Sequence, residues 1–290
     1  MTVPAPLVRR LVVVGAGLIG GSLCLAARAR GLAEHVVAID RDAAARAEGS
    51  RRGLAHETSA DPGAARGSDL VVLAVPVGAM GEAAAAVAPH LSEGTVVTDV
   101  GSVKGAVLAT VAPALPHPMC FVPGHPIAGR EQSGPAAADA DLFDGALVVL
   151  TPEPRTDPAC ATVVRALWAG AGGRVLTMDA AEHDRVFAAV SHLPHVVAYA
   201  LVAALLDLEA DQGPLVRFSA GGLRDFTRIA QSDPIMWRDI CLANREPLLK
   251  SLARFRHVLG ALEAQIAAGD GAGLLQAFTR ARQARRGMSS

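Results

Sequence analysis

The chain is poor in several residue types on which common catalytic and structural motifs depend. Its 290 residues include two lysines, Lys104 and Lys250, one tyrosine, Tyr199, and one asparagine, Asn244. A mechanism that requires a Tyr-x-x-x-Lys or a Lys-x-x-x-Asn pair therefore has almost no residues available. Four scattered cysteines form no C-x-x-C motif and no Cys/His cluster. The sequence thus indicates neither a disulfide framework nor a zinc site, and we expect no bound metal.

The chain also lacks an excess of charge and a long apolar run. Its 27 Lys and Arg balance 28 Asp and Glu, which leaves no electrostatic case for binding nucleic acid or an anionic membrane surface. The longest apolar run, Val196–Leu206, is far shorter than the ~20 residues that span a bilayer. The N-terminal MTVPAPLVRR does not have the pattern of a signal peptide. We therefore expect a cytoplasmic protein that contacts no membrane.

What the sequence does contain, up to residue 178, is an alternation of β-branched runs with alanine-rich helical stretches. Such alternation predicts βαβ units on a doubly wound parallel sheet. Beyond Asp179 the strand signals stop and only helical patterns follow, broken at Pro194. We predict an α/β domain over 1–178 and an all-helical domain over 179–290. Strands are predicted at 11–14, 36–40, 70–75, 95–100, 121–122, 147–150 and 174–177.

The first predicted strand runs into GAGLIGGS, a G-x-G-x-x-G motif that opens a helix, and Asp40 follows at the end of the second strand. This context is that of a Rossmann-type dinucleotide fingerprint. A carboxylate at Asp40 accepts hydrogen bonds from a ribose 2′-OH and repels a 2′-phosphate, so we expect NAD rather than NADP, although Arg41 would suit the phosphate. The predicted cofactor-binding residues are Gly15, Gly17, Leu18, Ile19, Gly20, Asp40, Arg41, Val75, Pro76 and Asp99.

Four further polar segments interrupt the apolar pattern: DVGSVK (99–104), GHPIAGRE (124–131), EHDRVFAAVSHLPH (182–195) and DFTRIAQSDPIMW (225–237). Together with GAGLIGGS, and in this order, they resemble the blocks of the prephenate/arogenate dehydrogenases of tyrosine biosynthesis. The resemblance implies an NAD-dependent oxidative decarboxylation. Hydride leaves the hydroxyl-bearing carbon of a cyclohexadienol, CO2 leaves the ring, and the ring becomes aromatic. It also implies tyrosine as a feedback ligand.

By this resemblance, His125 is the catalytic partner of the ring hydroxyl. The ordinary pKa of histidine, near 6.5, lets it act as a neutral acceptor at working pH. Ser102 follows a strand end, on the side where parallel sheets bind ligands. The resemblance implies that it hydrogen-bonds His125 or the substrate hydroxyl; a plain helix N-cap is the alternative reading. Lys104 is expected to reach across the same loop without a chemical step.

The resemblance implies that Arg228 anchors the substrate, and a planar guanidinium can bind a carboxylate through two parallel hydrogen bonds. The resemblance implies that Asp225 orients it, whereas an exposed ion pair is the commoner fate of such neighbours. It also implies that His195 reaches the substrate. Glu131 is interpreted as an orienting or gating group. Trp237 is expected to close the pocket or to pack in a dimer core.

His192 lies three residues before His195, a spacing that could suggest a metal pair. No third ligand is near in sequence, so we interpret His192 as a structural hydrogen-bonding residue. The apolar helical surface of the second half, Val196–Leu206 above all, predicts a homodimer formed through the C-terminal helices.

Two substrates and two other functions stay open at this point. The segment LVVLT (147–151) carries no acid that would bind the amine of arogenate, which favours prephenate, with arogenate as the alternative. A β-hydroxyacid dehydrogenase would require a lysine early in the helical half, and none lies between Lys104 and Lys250. A non-catalytic NAD-sensing protein would use the glycine loop but would not require His125 or Arg228.

Overall fold

A computed structural model describes residues 5–130 and 132–288. Contacts divide the chain into two compact units, one up to Asn244 and one from Arg245 onward. The predicted division near residue 178 lies within the first unit, where the last strand ends at Thr177 and the next helix begins at Ala180. It separates the part of that unit that contains the sheets from the part that contains only helices.

The first unit is built on a six-stranded parallel sheet. Its strands are β1 (Val8–Val14), β2 (Ala33–Ile39), β3 (Glu57–Ser59), β4 (Leu70–Leu73), β5 (Val96–Asp99) and β6 (Phe121–Val122). Their spatial order is β3-β2-β1-β4-β5-β6, with every neighbouring pair parallel. This is the doubly wound order, in which the chain reverses direction across the sheet between β1 and β4. The predicted Rossmann-type sheet is confirmed.

Helices cover both faces of this sheet because its strands are apolar on both sides. Leu11 and Val13 of β1 belong to the core on one face, whereas Val12 and Val14 belong to the core on the other. The helices of this half are α1 (Leu18–Ala29), α2 (Ala43–Arg51), α3 (Met80–Val87), α4 (Lys104–Val111) and α5 (Pro158–Gly170).

A second, three-stranded sheet follows, which the sequence did not predict as a separate element. It contains β7 (Gly124–Pro126), β8 (Leu147–Leu150) and β9 (Arg174–Thr177). β7 runs antiparallel to β8, and β8 runs parallel to β9. His125 therefore lies on a strand, opposite Val149, and not in a loop. Three residues that include a glycine and a proline do not show a strand pattern in sequence.

The remaining elements are helical, as predicted, although their boundaries differ. In the first unit they are α6 (Ala180–Phe187), α7 (Leu193–Gln212), α8 (Gly221–Thr227) and α9 (Pro234–Ala243). A π-helical turn over Ala188–His192 joins α6 to α7, so Pro194 does not break the helix. The second unit contains α10 (Arg245–Ala267) and α11 (Gly271–Gly287). The apolar pattern of the sequence predicts a single helix over 234–264, but the structure divides this segment into two helices at Asn244.

The joined helix Ala180–Gln212 has 33 residues and contains an 18-residue window with a mean hydropathy of 1.7, which is long and apolar enough to cross a bilayer by length and composition alone. The expectation that no segment meets this criterion is therefore wrong. It considered only the uninterrupted 11-residue apolar run, whereas the residues on either side of that run lengthen the apolar helix. Only 11% of the apolar window of this helix is buried within the chain. Its apolar surface thus requires a second surface to cover it.

Candidate functional site

A cleft of about 390 Å³ opens at the carboxyl ends of β1, β2 and β4, where a doubly wound sheet binds its ligands. Six of the predicted cofactor residues line it: Gly15, Gly17, Asp40, Arg41, Val75 and Pro76. Leu18, Ile19 and Gly20 form the first turn of α1 beside the cleft. No side chain caps this helix and no acidic residue lies in its first turn. Its N-terminal N–H groups and its dipole therefore favour an anion such as a pyrophosphate.

The three glycines of the loop meet different demands. Gly15 has a φ of 102°, which favours glycine, and a Cβ there would meet the carbonyl of Ala74. A Cβ on Gly20 would meet the carbonyl of Gly15 and lie 3.0 Å from Val13, so this residue permits close packing of α1 on β1. A Cβ on Gly17 would meet nothing within 4 Å. The backbone at Gly17 therefore faces open space, as a dinucleotide would require.

Asp40 ties the glycine loop to the end of β2. Its carboxylate accepts a hydrogen bond from the N–H of Ala16 at 2.7 Å and another from the N–H of Asp42 at 2.9 Å. It is half-buried and lines the cleft. Asp40 thus has a structural role in addition to the role in ribose binding that the motif predicts.

The structure places Asp99 away from the cofactor cleft. Asp99 is fully buried at the end of β5, and its carboxylate pairs with the Lys104 ammonium at 2.5 Å. It also accepts hydrogen bonds from the N–H groups of Gly101 and Gly124. The Lys104 ammonium donates further to the Gly124 carbonyl at 2.5 Å. The Asp99–Lys104 pair therefore fixes the backbone next to His125 and is saturated by protein groups.

His125 is half-buried, and its Nδ1 lies 2.8 Å from Nε2 of His183. Its ring packs edge-on against Phe187, with centroids 5.0 Å apart. Burial, reinforced by the positive charge of Lys104 and by His183 and His192, holds the pKa of His125 well below its ordinary value. The imidazole is consequently neutral at pH 7 and able to accept a proton.

Ser102 lies between β5 and α4, where the resemblance places it, but it forms no hydrogen bond with His125. It is not the N-cap of α4 either, because that position belongs to Val103. Val103 packs with Trp237 and Ile240 in a small core where the sheet half meets the helices of this unit. Ser102 is thus at the junction of the two halves of the first unit.

His195 and Trp237 form the apolar wall of this junction. Their rings stack with centroids 3.6 Å apart. Nδ1 of His195 lies 2.9 Å from the carbonyl of Ser191, which makes this nitrogen the donor and leaves Nε2 as an acceptor. Nε1 of Trp237 is buried and has no hydrogen-bond partner among the residues that the structure describes. An indole N–H in this state is suited to a ligand oxygen.

His192 behaves as a structural residue. It is buried, its Nδ1 accepts a hydrogen bond from Asn244 at 3.0 Å, and burial lowers its pKa to about 4. Within residues 5–130 and 132–288, no group of three His, Cys, Asp or Glu residues could hold a metal ion. Nδ1 of each of these two histidines is thus engaged by a protein group.

The predicted carboxylate anchor, Arg228, follows α8 and is exposed. Asp225 is also exposed. The expectation that Asp225 orients Arg228 stays a prediction. Glu131 lies outside the described residues.

Sequence reasoning missed two residues that the structure joins to the site. His183 is fully buried on α6, and its Nδ1 lies 2.8 Å from a carboxylate oxygen of Asp184. Asp184 is also buried and accepts hydrogen bonds from the N–H groups of Lys104 and Gly105 at the start of α4. The available signal was an adjacent His-Asp pair on the apolar side of a helical stretch, where polar residues need partners.

Comparisons with known proteins agree with this architecture. A family model described as the nucleotide-binding domain of prephenate dehydrogenase matches residues 23–177, and one described as its dimerization domain matches residues 179–280. A cyclohexadienyl dehydrogenase from Zymomonas mobilis is 39% identical over 96% of this chain and 95% of its own. A prephenate dehydrogenase from Bacillus subtilis is 33% identical over 96% of this chain and 76% of its own.

A solved structure shows the same similarity in three dimensions. The prephenate dehydrogenase from A. aeolicus, in complex with hydroxyphenyl propionate and NAD+, superposes with a TM-score of 0.91 at 35% identity and covers 97% of this chain and 98% of its own. Two family models together span nearly the whole sequence, and relatives above 30% identity extend over almost all of it. The chain described here belongs to the prephenate dehydrogenase family of oxidoreductases.

Proposed function

We propose that this chain catalyses the NAD-dependent oxidative decarboxylation of prephenate to 4-hydroxyphenylpyruvate in the cytoplasm, as the tyrosine-biosynthesis step implied by the family. The observation that carries the proposal is the placement of a neutral histidine, His125, next to the carboxyl edge of a sheet whose glycine loop is shaped for a dinucleotide. The open space at Gly17 and the uncapped start of α1 fit NAD. A carboxylate at Asp40 favours NAD over NADP.

The residues act in the following way. NAD, when bound, supplies the hydride acceptor. As the hydroxyl-bearing carbon loses its hydride, His125 takes the hydroxyl proton and a ring ketone forms. The bond between the ring and its carboxylate then breaks, CO2 leaves, and its electron pair enters the ring. The ketone oxygen becomes a phenol oxygen when His125 returns the proton, so the step consumes no net proton. Aromatisation drives the reaction, and the protein mainly orients the substrate and carries one proton.

The substrate presents two carboxylates to the side chains that bind it. Arg228 binds one of them, and the unpartnered indole N–H of Trp237 together with His195 is placed to contact the substrate from the wall of the junction. Ser102 is proposed to hydrogen-bond the substrate hydroxyl from the β5–α4 connection. None of these groups needs to change its protonation state during the reaction.

Prephenate is favoured over arogenate because the amine of arogenate calls for a free carboxylate. Asp144, the acid that precedes β8, pairs with Arg30 at 2.5 Å. Asp99 and Asp184, which the hydrogen-bond network joins to His125, are buried, and both oxygens of each carboxylate already accept from protein donors. These groups therefore offer no partner to an ammonium group.

The test is a comparison of kcat/KM for prephenate and arogenate with purified protein and NAD. We expect at least a tenfold preference for prephenate, which corresponds to about 1.4 kcal/mol. Equal use of both substrates, or a preference for arogenate, would contradict the choice of substrate without contradicting the family. The same assay with added tyrosine tests the feedback that the resemblance implies.

Cofactor preference is expected to depend on Asp40. The Asp40→Ala variant should raise the KM for NAD about tenfold, through the loss of a charged hydrogen bond, and should improve the relative use of NADP. Glu34→Ala, which removes an exposed carboxylate from β2, is the matched control. A higher KM for NAD without any gain for NADP would show that Asp40 acts only by holding Ala16. A preference of the unaltered protein for NADP would instead assign the site to Arg41.

Assembly is expected to follow from the exposed apolar helices. In the 20 residues of α7 only Ala198 is buried, and in the 23 residues of α10 only Leu248 is buried. We propose that residues 179–290 act as the dimerisation domain of a homodimer, with residues 1–178 as the cofactor domain, and that a second copy covers the 33-residue helix. The interface should bury well over ~1,000 Å².

Sedimentation at micromolar concentration should give a mass of twice 29.7 kDa. A mass of one chain would contradict the dimer, and extraction only with detergent would instead favour a membrane.

A further inference from the structure

A continuous line of hydrogen bonds runs from His125 into the interior of the first unit. Nδ1 of His125 lies 2.8 Å from Nε2 of His183, and Nδ1 of His183 lies 2.8 Å from Oδ1 of Asp184. The two imidazole rings meet edge-on, with centroids 5.1 Å apart and an angle of 62° between their planes. His183 is fully buried, so no solvent competes for either of its nitrogens.

The direction of each hydrogen bond follows from the partners of Asp184. Its carboxylate already accepts from the N–H of Lys104 at 2.7 Å and from the N–H of Gly105 at 2.8 Å. An ionised carboxylate only accepts, so Nδ1 of His183 must be the donor in the third contact. A neutral imidazole that donates from Nδ1 has its lone pair on Nε2. Nδ1 of His125 must therefore donate to His183, which leaves the lone pair of His125 on Nε2.

We propose that His183 and Asp184 are positioning residues that hold His125 in its Nδ1–H tautomer, so that Nε2 is the atom that accepts the substrate's hydroxyl proton. This inference rests on the proposed function, in which His125 is the proton acceptor. Neither positioning residue touches the substrate. They set the tautomer of the catalytic imidazole and fix the plane of its ring, as an orienting carboxylate does for a catalytic histidine in other enzymes.

The same network supports the imidazolium that forms during the reaction. When Nε2 of His125 takes the proton, Nδ1–H continues to donate to His183, behind which lies the negative charge of Asp184. The other charged or titratable groups around His125 are Lys104 and Asp99, which neutralise each other in the β5–α4 connection, and His192 on the π-helical turn. Asp184 is therefore the carboxylate that lies directly behind His183 on the line of hydrogen bonds from His125.

Asp184 also links the hydrogen bonds of the His125 ring to those that hold the backbone next to His125. Val103, at the N-cap of α4, provides no side-chain acceptor, and Asp184 takes over that role from α6. The residue that follows, Lys104, donates through its ammonium to the carbonyl of Gly124. The side chain of His125 and the peptide before it are thus held by a single buried network.

The tautomer itself provides a test that does not depend on catalysis. Protein labelled with 15N-histidine, with NAD bound, should show the Nδ1–H pattern for His125 at neutral pH, assigned from its disappearance in His125→Asn. An Nε2–H pattern for His125 would overturn the proposal. Because this result does not require activity, it remains informative even if His125 proves not to be the proton acceptor.

Kinetics of two variants test the positioning role. His183→Phe keeps a ring but removes the acceptor, and kcat should fall ~10²-fold, the lower end of the range for positioned acid–base groups, with the KM for NAD unchanged. The acidic limb of its pH profile should move to lower pH, because the His125 imidazolium loses its acceptor and the carboxylate behind it. His183→Gln places an amide oxygen near the former Nε2 and should recover part of kcat. His117→Phe, an exposed histidine, is the matched control.

The possible outcomes distinguish a failure of the positioning role of His183 from a failure of the proposed function. Equal losses in His183→Phe and His183→Gln, with the pH profile of the unaltered protein, would show that His183 only fills space and would overturn the proposal. A fully active His125→Asn variant would instead overturn the proposed function, whatever the tautomer. A His183→Phe protein that does not fold leaves the decision to the tautomer measurement on the unaltered chain.

Discussion

Replacing His125 by asparagine is expected to lower kcat by ~10²–10⁴-fold with little change in the KM for prephenate. Asparagine fills a similar volume and can still hydrogen-bond, but it cannot take a proton. The loss should appear in kcat because the hydroxyl oxygen acquires ketone character only as hydride leaves, so the interaction with His125 strengthens in the transition state. His117→Asn, which changes an exposed histidine in the same way, should leave both constants unaltered.

The pH dependence of kcat/KM provides an independent test of the role of His125. Burial and the neighbouring positive charge lower the pKa of His125, so its neutral form persists below the usual range of histidine. The kcat/KM of the unaltered protein should stay level through neutral pH and should fall only on acidification below about 6.5. In His125→Asn that acidic limb should be absent. If the variant keeps both its kcat and the limb, the proton acceptor is another group, and His195 is the next candidate.

Replacing Arg228 by alanine is expected to raise the KM for prephenate about 10- to 100-fold and to change kcat much less. A hydrogen bond between charged groups contributes roughly 1.5–3 kcal/mol, and a factor of ten in affinity corresponds to about 1.4 kcal/mol. The carboxylate that Arg228 is proposed to hold is present in the ground state and in the transition state alike, so its loss affects binding uniformly.

Arg224→Ala is the matched control for this variant, because Arg224 lies on α8, one turn before Arg228, and its guanidinium donates to the carbonyl of Ser219. It should leave the KM for prephenate unchanged. An Arg228→Ala variant that loses kcat while keeping its KM would contradict the role of a uniform anchor. Such a result would place the guanidinium among the groups that act on the transition state.

The sheet and its cofactor loop could be predicted from sequence because their signals are local. A buried parallel strand is a run of β-branched residues, and the glycine loop requires particular residues at fixed spacing. The predicted strands at 70–75 and 95–100 differ from β4 and β5 only at their ends. β3 and β7 were missed because three-residue strands carry no periodicity, and in β7 the residues are Gly124, His125 and Pro126.

His125 could be singled out as a candidate through the resemblance, but its surroundings could not be predicted. The partners of His125 come from α6, 58 residues further along the chain, and Lys104 is joined to Asp184 across 80 residues. Such contacts depend on how α6 packs beside α4, which no local pattern specifies. For the same reason Asp99 was predicted to bind the cofactor, whereas in the structure its carboxylate pairs with the Lys104 ammonium.

The helical part of the chain shows a second limit of prediction from sequence. The interruption at Asn244 was missed because the apolar pattern continues on both sides of it, although its side chain is needed in the first unit, where it donates to the carbonyl of Asp184 and to His192. Pro194 was expected to break the helix and instead follows a π-helical turn. In both cases the hydrogen bonds that the residues form, rather than their helix propensity, determine where the helix begins or ends.

The most direct measurement is the stoichiometry of the reaction itself. Purified protein is mixed with NAD and a limiting amount of prephenate, and NADH, CO2 and 4-hydroxyphenylpyruvate are measured together. Oxidative decarboxylation predicts one of each per prephenate consumed, with all three slowed to the same extent in His125→Asn. NADH formed without an equal amount of CO2, or no NADH at all from prephenate, would contradict the proposed function.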